Sequence, residues 1–164
     1  MKIPSPSWTM LLALAGAVHC AASAAVVPFD LLTAEEVQQE REVEANDAGG
    51  AARLRSWFAN GAGAPSISVV APRSTVEAVH APLRIELAFS ANRGARIVPE
   101  SFRVLYGMLK IDLTPKLREF ARISESGVIV EQAQVPEGQH RLFVQIGDDR
   151  GNVAEAELRL NVVP

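Results

Sequence analysis

Residues 138–162, GQHRLFVQIGDDRGNVAEAELRLNV, decide the fold. Leu142, Val144 and Ile146 alternate with Arg141, Phe143 and Gln145, and Ala156, Leu158, Leu160 and Val162 alternate with Glu157, Arg159 and Asn161. A period of two places one side chain set on each face of a strand. Between the two runs stands Asp148-Asp149-Arg150-Gly151-Asn152, turn chemistry for a hairpin. Each predicted strand has one apolar and one polar face. Such strands bury one side and wet the other, as in antiparallel sheets.

The same pattern extends upstream. Ile67 and Val69 alternate with serines, and Leu83, Ile85, Leu87 and Phe89 alternate with Arg84, Glu86 and Ala88. Phe102, Val104 and Tyr106, then Ile111 and Leu113, then Val128 and Val130 give three further strands. Turn signals separate them: Ala71-Pro72, Ala81-Pro82, Asn92-Arg93-Gly94, Pro99-Glu100-Ser101, Ser124 to Gly127, and Pro136-Glu137-Gly138. Thr114-Pro115 reads as a helix cap followed by proline at the first helical position, so 116–121 is expected to form one short helical turn. Seven strands in about 100 residues predict an all-β, antiparallel two-sheet sandwich over 65–164.

Ahead of it lies a polar helix. Thr33-Ala34-Glu35-Glu36 is a capping box, with Leu32 and Val37 placed for a hydrophobic staple. The helix is expected from Thr33 to Asn46, ended by Asp47, Gly49 and Gly50. Gln38, Gln39, Glu40, Arg41, Glu42 and Glu44 make its body polar, so a solvated segment detached from the sandwich is expected. A partner-binding helix is the sharper reading. Asn60 to Pro65 reads as a flexible linker, which makes 25–64 a helix-and-linker segment. Trp57 and Phe58 are expected to dock on the sandwich edge, or to be read by a partner.

The first residues bear on compartment. Met10 to Val18 is an unbroken apolar run of nine behind Lys2, followed by Ala22-Ser23-Ala24. That describes a signal peptide over 1–24 and an exported, periplasmic or secreted protein. The run is too short for a membrane-spanning helix, which needs about 20 apolar residues. Cys20, the one cysteine, is preceded by His19, which fits a lipoprotein site badly. Cleavage after Ala24 leaves no cysteine and no disulfide. It also leaves 15 bases against 19 acids, a net charge of about −4. A nucleic-acid role, which wants a basic face, is disfavoured, and so is attraction to an anionic membrane.

Pro65-x-Ile67-x-Val69-x-x-Pro72, Pro82-Leu83-x-Ile85-x-Leu87-x-Phe89 and Phe102 to Thr114 resemble successive strands of bacterial immunoglobulin-like or fibronectin-III-like domains of exported proteins. Gly138-x-His140-x-Leu142-x-Val144-x-Ile146-x-Asp148, then Gly151-Asn152, resembles their closing hairpin. The resemblance covers about 100 residues at turn and core positions, so it implies fold and little function. The Cys…Trp…Cys core of antibody domains is absent.

No serine-nucleophile elbow occurs. His80 and His140 are the histidines beyond the leader, and both are expected as exposed strand-end residues. Zinc wants three or four clustered ligands, and copper carriage wants His and Met clusters, where Met108 is the one methionine beyond residue 24. Asp148, Asp149 and Asn152 could supply oxygens to calcium, but a tight hairpin demands the same residues, and the turn is the preferred reading. No catalytic residue and no cofactor are expected. The expected function is a non-enzymatic exported binding or structural accessory module with a protein or polysaccharide partner in the cell envelope. Its expected surface is the loops around Asn92–Arg96 and Asp148–Asn152 or an edge strand. The alternative is a periplasmic carrier of a small ligand or metal, calcium or copper, using His80, His140 or the Asp148–Asn152 turn.

Overall fold

A computed structural model describes residues 27–46, 61, 63–72 and 78–164. The expected signal peptide, Cys20, and Trp57 with Phe58 lie outside the described residues.

Residues 65–164 form the expected two-sheet sandwich. One sheet holds β2 (Ser66–Ala71), β4 (Leu83–Ser90), β8 (Gly127–Gln134) and β7 (Ala121–Ser124), with β8 central. The other runs β3 (Ala78–His80), β10 (Val153–Val163), β9 (Gly138–Asp148), β5 (Ile97–Tyr106) and β6 (Ile111–Asp112). The alternation read from the sequence sets the packing. Leu83, Ile85, Leu87 and Phe89 of one sheet and Leu142, Val144, Ile146, Leu158 and Leu160 of the other are all buried in one core. β2 and β3, though adjacent in the chain order, belong to opposite sheets.

The sheets are mixed rather than wholly antiparallel. β3 lies parallel to β10, with Val79 opposite Val162, and β1 (Phe29–Asp30) lies parallel to β8, with Phe29 opposite Ala133. Parallel pairing follows where a short strand joins an edge after a crossover rather than a hairpin. Strands β1, β3 and β7 are two to four residues long, too short for alternation to announce them. Pro99-Glu100-Ser101 is not a turn ahead of a strand. It sits inside β5, where the register with β9 breaks between Val98 and Arg103. Proline is tolerated at such an irregularity. The Ser101 hydroxyl repairs the break, donating to the Val98 carbonyl at 2.6 Å and accepting from the Gly147 amide at 2.7 Å.

The short helix α2 spans Thr114–Phe120. Thr114 does not cap it. Leu113 is the cap residue, with no side-chain cap bond, and the Thr114 hydroxyl accepts instead from the Val104 amide of β5 at 3.0 Å. A buried amide beside the strand outcompetes the helix's own first turn for that oxygen.

Helix α1 (Ala34–Asn46) begins as the capping box predicts. The Glu36 amide donates to the Thr33 hydroxyl at 3.2 Å, and the Thr33 amide donates to the Glu36 carboxylate at 2.9 Å. Leu32 and Val37 are both buried. The helix is not detached. Phe29, Leu31, Leu32 and Val37 join the core cluster, and the segment from β1 into α1 runs from the edge of β8 to the β5–β6 turn. It closes the end of the sandwich where β5 finishes and β9 begins. Among the described residues, no helix is long and apolar enough to cross a membrane.

Candidate functional site

Glu36 and Glu40 are among the side chains that fix α1 on the sandwich end. Lys116 of α2 donates to the Glu36 carboxylate at 2.8 Å. Burial pushes the Glu36 carboxyl up, but the Lys116 ammonium and the Thr33 donors outweigh it and hold the group below 4.5. Glu40 goes deeper, with only 4% of its surface exposed. Its carboxylate accepts from the Met108 amide and, at 3.2 Å, from the Leu109 amide, in the turn between β5 and β6. A carboxylate on two backbone amides makes strong, charge-assisted bonds. Gly107 gives it room: this residue has φ of 64°, and a Cβ there would stand 2.1 Å from Glu40 Cδ.

Below α1 lies a buried pair. Tyr106 and His140 share a hydrogen bond of 3.1 Å between the phenol oxygen and Nδ1. His140 Nε2 lies 2.8 Å from the Pro136 carbonyl. A carbonyl can only accept, so Nε2 carries the proton and Nδ1 accepts from Tyr106. Burial holds the imidazole below 6.5, aided by the nearby Arg41 charge. Burial, with the Glu40 charge, pushes Tyr106 up to about 12. Both side chains are therefore neutral structural groups near pH 7. His140 is not the exposed strand-end residue expected, being 2% exposed. It shares the inward face with Leu142, Val144 and Ile146, two residues apart along β9. His80 is exposed, at the end of β3.

Against this end opens a cleft of about 470 Å³ between α1 and strands β9 and β10. Arg41 and Glu44 border it from the helix, and Gln139, Arg141, Arg159 and Asn161 border it from the sheet. Arg41 donates to the Glu137 carbonyl at 3.3 Å, and Arg141 pairs with Glu44 at 2.5 Å. The floor includes Tyr106, His140 and Leu160. Of these cleft residues the sequence points only to His140, as a ligand in the carrier alternative; the helix and sheet residues that border the cleft carry no such signal. The signal that could have found them is register: once β9 and β10 are paired, Arg141 faces Arg159 and Gln139 faces Asn161.

The calcium candidates Asp148, Asp149 and Asn152 lie at the opposite end of β9. Asp148 is buried, and its Oδ1 accepts from the Arg150 amide at 3.0 Å and the Asn152 amide at 2.8 Å. Its Oδ2 accepts from the Asn152 side chain at 2.9 Å. These bonds, the Asn152 side chain first, hold the Asp148 carboxyl below 3.8. Asp149 turns away and accepts from the Arg96 amide at 3.0 Å, while its own amide donates to the Arg96 carbonyl at 2.9 Å. The two expected binding loops are thus joined to each other: the Asp148 carboxylate serves its own turn and the Asp149 carboxylate holds the Arg96 backbone. Met108 meets α1 through its backbone amide. Among the described residues, no three His, Cys, Asp or Glu side chains group as metal ligands.

Compared with known proteins, the chain matches no protein-family model and no curated sequence.

Proposed function

We propose that the chain is a non-enzymatic, exported binding module whose partner, protein or polysaccharide, belongs to the cell envelope. The observation that carries this reading is the contrast between the sandwich's titratable groups and its cleft. His140, Tyr106, Glu40 and Asp148 are each tied into structural hydrogen bonds, so none pairs with a nucleophile. The cleft meanwhile presents several guanidinium and carboxamide donors along one wall. Such a surface holds a ligand and orients it without acting as acid or base. Export rests on the leader-like 1–24 alone. Metal carriage gains little support, because both His140 nitrogens and both Asp148 oxygens already have partners.

Calorimetric titration of the purified protein with envelope polysaccharide, alongside photo-crosslinking in cells for protein partners, tests the reading. Saturable, stoichiometric binding to either, with the partner released chemically unchanged, is expected. No saturable binding to either, or conversion of the partner, overturns it. Recovery of a chain starting at Ala25 from the periplasm or medium tests export, and an intact Met1 in the cytoplasm contradicts it.

A further inference from the structure

The outward face of β9 and β10 carries two donor pairs in register at the cleft. Arg141 stands directly opposite Arg159, and Gln139 directly opposite Asn161. Like charges directly opposed on a sheet face repel. Each guanidinium here is drawn aside by a carboxylate, Arg141 by Glu44 at 2.5 Å and Arg159 by Glu157 at 2.7 Å. Pairs this exposed are weak, and each uses only part of a guanidinium's five donors. Arg41 adds a third fork from the helix wall, with one bond to the Glu137 carbonyl. The carboxylates on the cleft are Glu40, occupied by the Met108 and Leu109 amides, and Glu44, turned to Arg141. Donors therefore outnumber acceptors.

A ligand for such a cleft must be rich in acceptors. Guanidinium forks fit the oxygens of a carboxylate or phosphate. Carboxamides both donate and accept, which suits neighbouring hydroxyls. The cleft volume lies within the usual range for small-ligand sites. Leu160 is its one aliphatic lining residue, so it offers no apolar socket of the kind that anchors a peptide side chain.

We propose that this cleft binds an anionic saccharide, its carboxylate or phosphate held among Arg41, Arg141 and Arg159 and its hydroxyls by Gln139 and Asn161. The proposal deepens the binding-module reading and rests on it. Calorimetry on the purified protein tests it with four probes: an oligogalacturonate, a hexose phosphate, a neutral oligosaccharide of matched length and a polyglutamate peptide. Saturable binding to the uronate or the phosphate is expected, weakening with added salt and absent for the neutral sugar. Whichever anionic arm binds identifies the charged group. Arg159→Gln, at a largely exposed side chain, should weaken that binding about tenfold or more while leaving the melting temperature unchanged. Asn161→Ala should weaken it severalfold. Equal binding of the neutral sugar, tighter binding of polyglutamate, or saccharide binding unaltered in Arg159→Gln would each overturn the assignment. A protein partner captured in cells with no saccharide bound to any arm would remove this proposal and leave the module reading standing.

Discussion

The carboxylate of Glu40 occupies the space where a side chain at Gly107 would be, 2.1 Å from the position of its Cβ. One residue belongs to a helix that reads as solvent-exposed, the other to a turn between strands in the second sheet. Their contact makes the N-terminal segment part of the domain. Gly107→Ala should therefore cost twice over: alanine in the left-handed region costs ~1–2 kcal/mol, and the new methyl must displace Glu40. Gly94 is the control, with φ of 72° and nothing within 4 Å of an added Cβ. Urea titration should show Gly107→Ala losing clearly more stability than Gly94→Ala. Equal losses would mean that the carboxylate moves aside freely.

Removal of residues 27–46 should unfold the sandwich or leave it without fixed packing. Leu31, Leu32 and Val37 are at most 4% exposed, and a fully buried aliphatic side chain contributes ~1.5–3 kcal/mol. Three of them approach the whole stability of a typical domain, about 5–15 kcal/mol. A fragment of residues 61–164 should show strand content by far-UV circular dichroism but a broad, weakly cooperative melt. A sharp transition near that of the whole chain would show that the sandwich stands alone.

Acidification should destabilise the protein from just below pH 6.5, through His140. Above that value the imidazole is neutral in both the folded and unfolded chain. As pH falls through 6.5, the unfolded chain takes a proton that the folded His140, with its lowered pKa, resists. Stability then falls by up to ~1.4 kcal/mol per pH unit until the folded value is reached. The depressed carboxyls of Glu36, Asp112 and Asp148 stabilise the fold above their ordinary 4.5, 3.8 and 3.8, and that contribution is lost only further down. His140→Gln should flatten the slope just below pH 6.5 in denaturant titrations. An unchanged slope would assign it to another group.

Much of the architecture was legible because burial and strand period coincide. Leu142, Val144 and Ile146 had to face inward together, and so did Leu83, Ile85 and Leu87. The same rule, carried two residues back along β9, would have placed His140 in the core. Its polar ring obscured that, although Tyr106 and the Pro136 carbonyl satisfy both nitrogens. The helix was misread for a similar reason. Val37, Glu40 and Val43 recur three residues apart on one face, but a glutamate in the middle of the stripe looks like solvent. Nothing local in the sequence says that two strand-turn amides, 68 and 69 residues away, receive it. The cleft depends on register between β9 and β10, and on where α1 lands. Both are long-range facts that composition and spacing leave open.

Calcium at millimolar concentration should leave the melting temperature unchanged. Asp148 already accepts three hydrogen bonds within its own turn, and Asp149 is bonded to the Arg96 backbone. Binding would require those bonds to break before the ion gains ligands. A concentration-dependent rise in melting temperature that chelator reverses would restore the Asp148–Asn152 turn as a cation site.

Hydrogen–deuterium exchange at two amides tests most directly whether the helix is built into the sandwich end. Met108 and Leu109 lie in a turn, and their amides should nevertheless exchange slowly, protected by Glu40. In Glu40→Ala that protection should collapse, with a loss of about 1–3 kcal/mol for each orphaned donor, while the β9–β10 ladder stays protected. Fast exchange at both amides in the unaltered protein, at the rate of an open loop, would contradict the docking of α1 and with it the cleft.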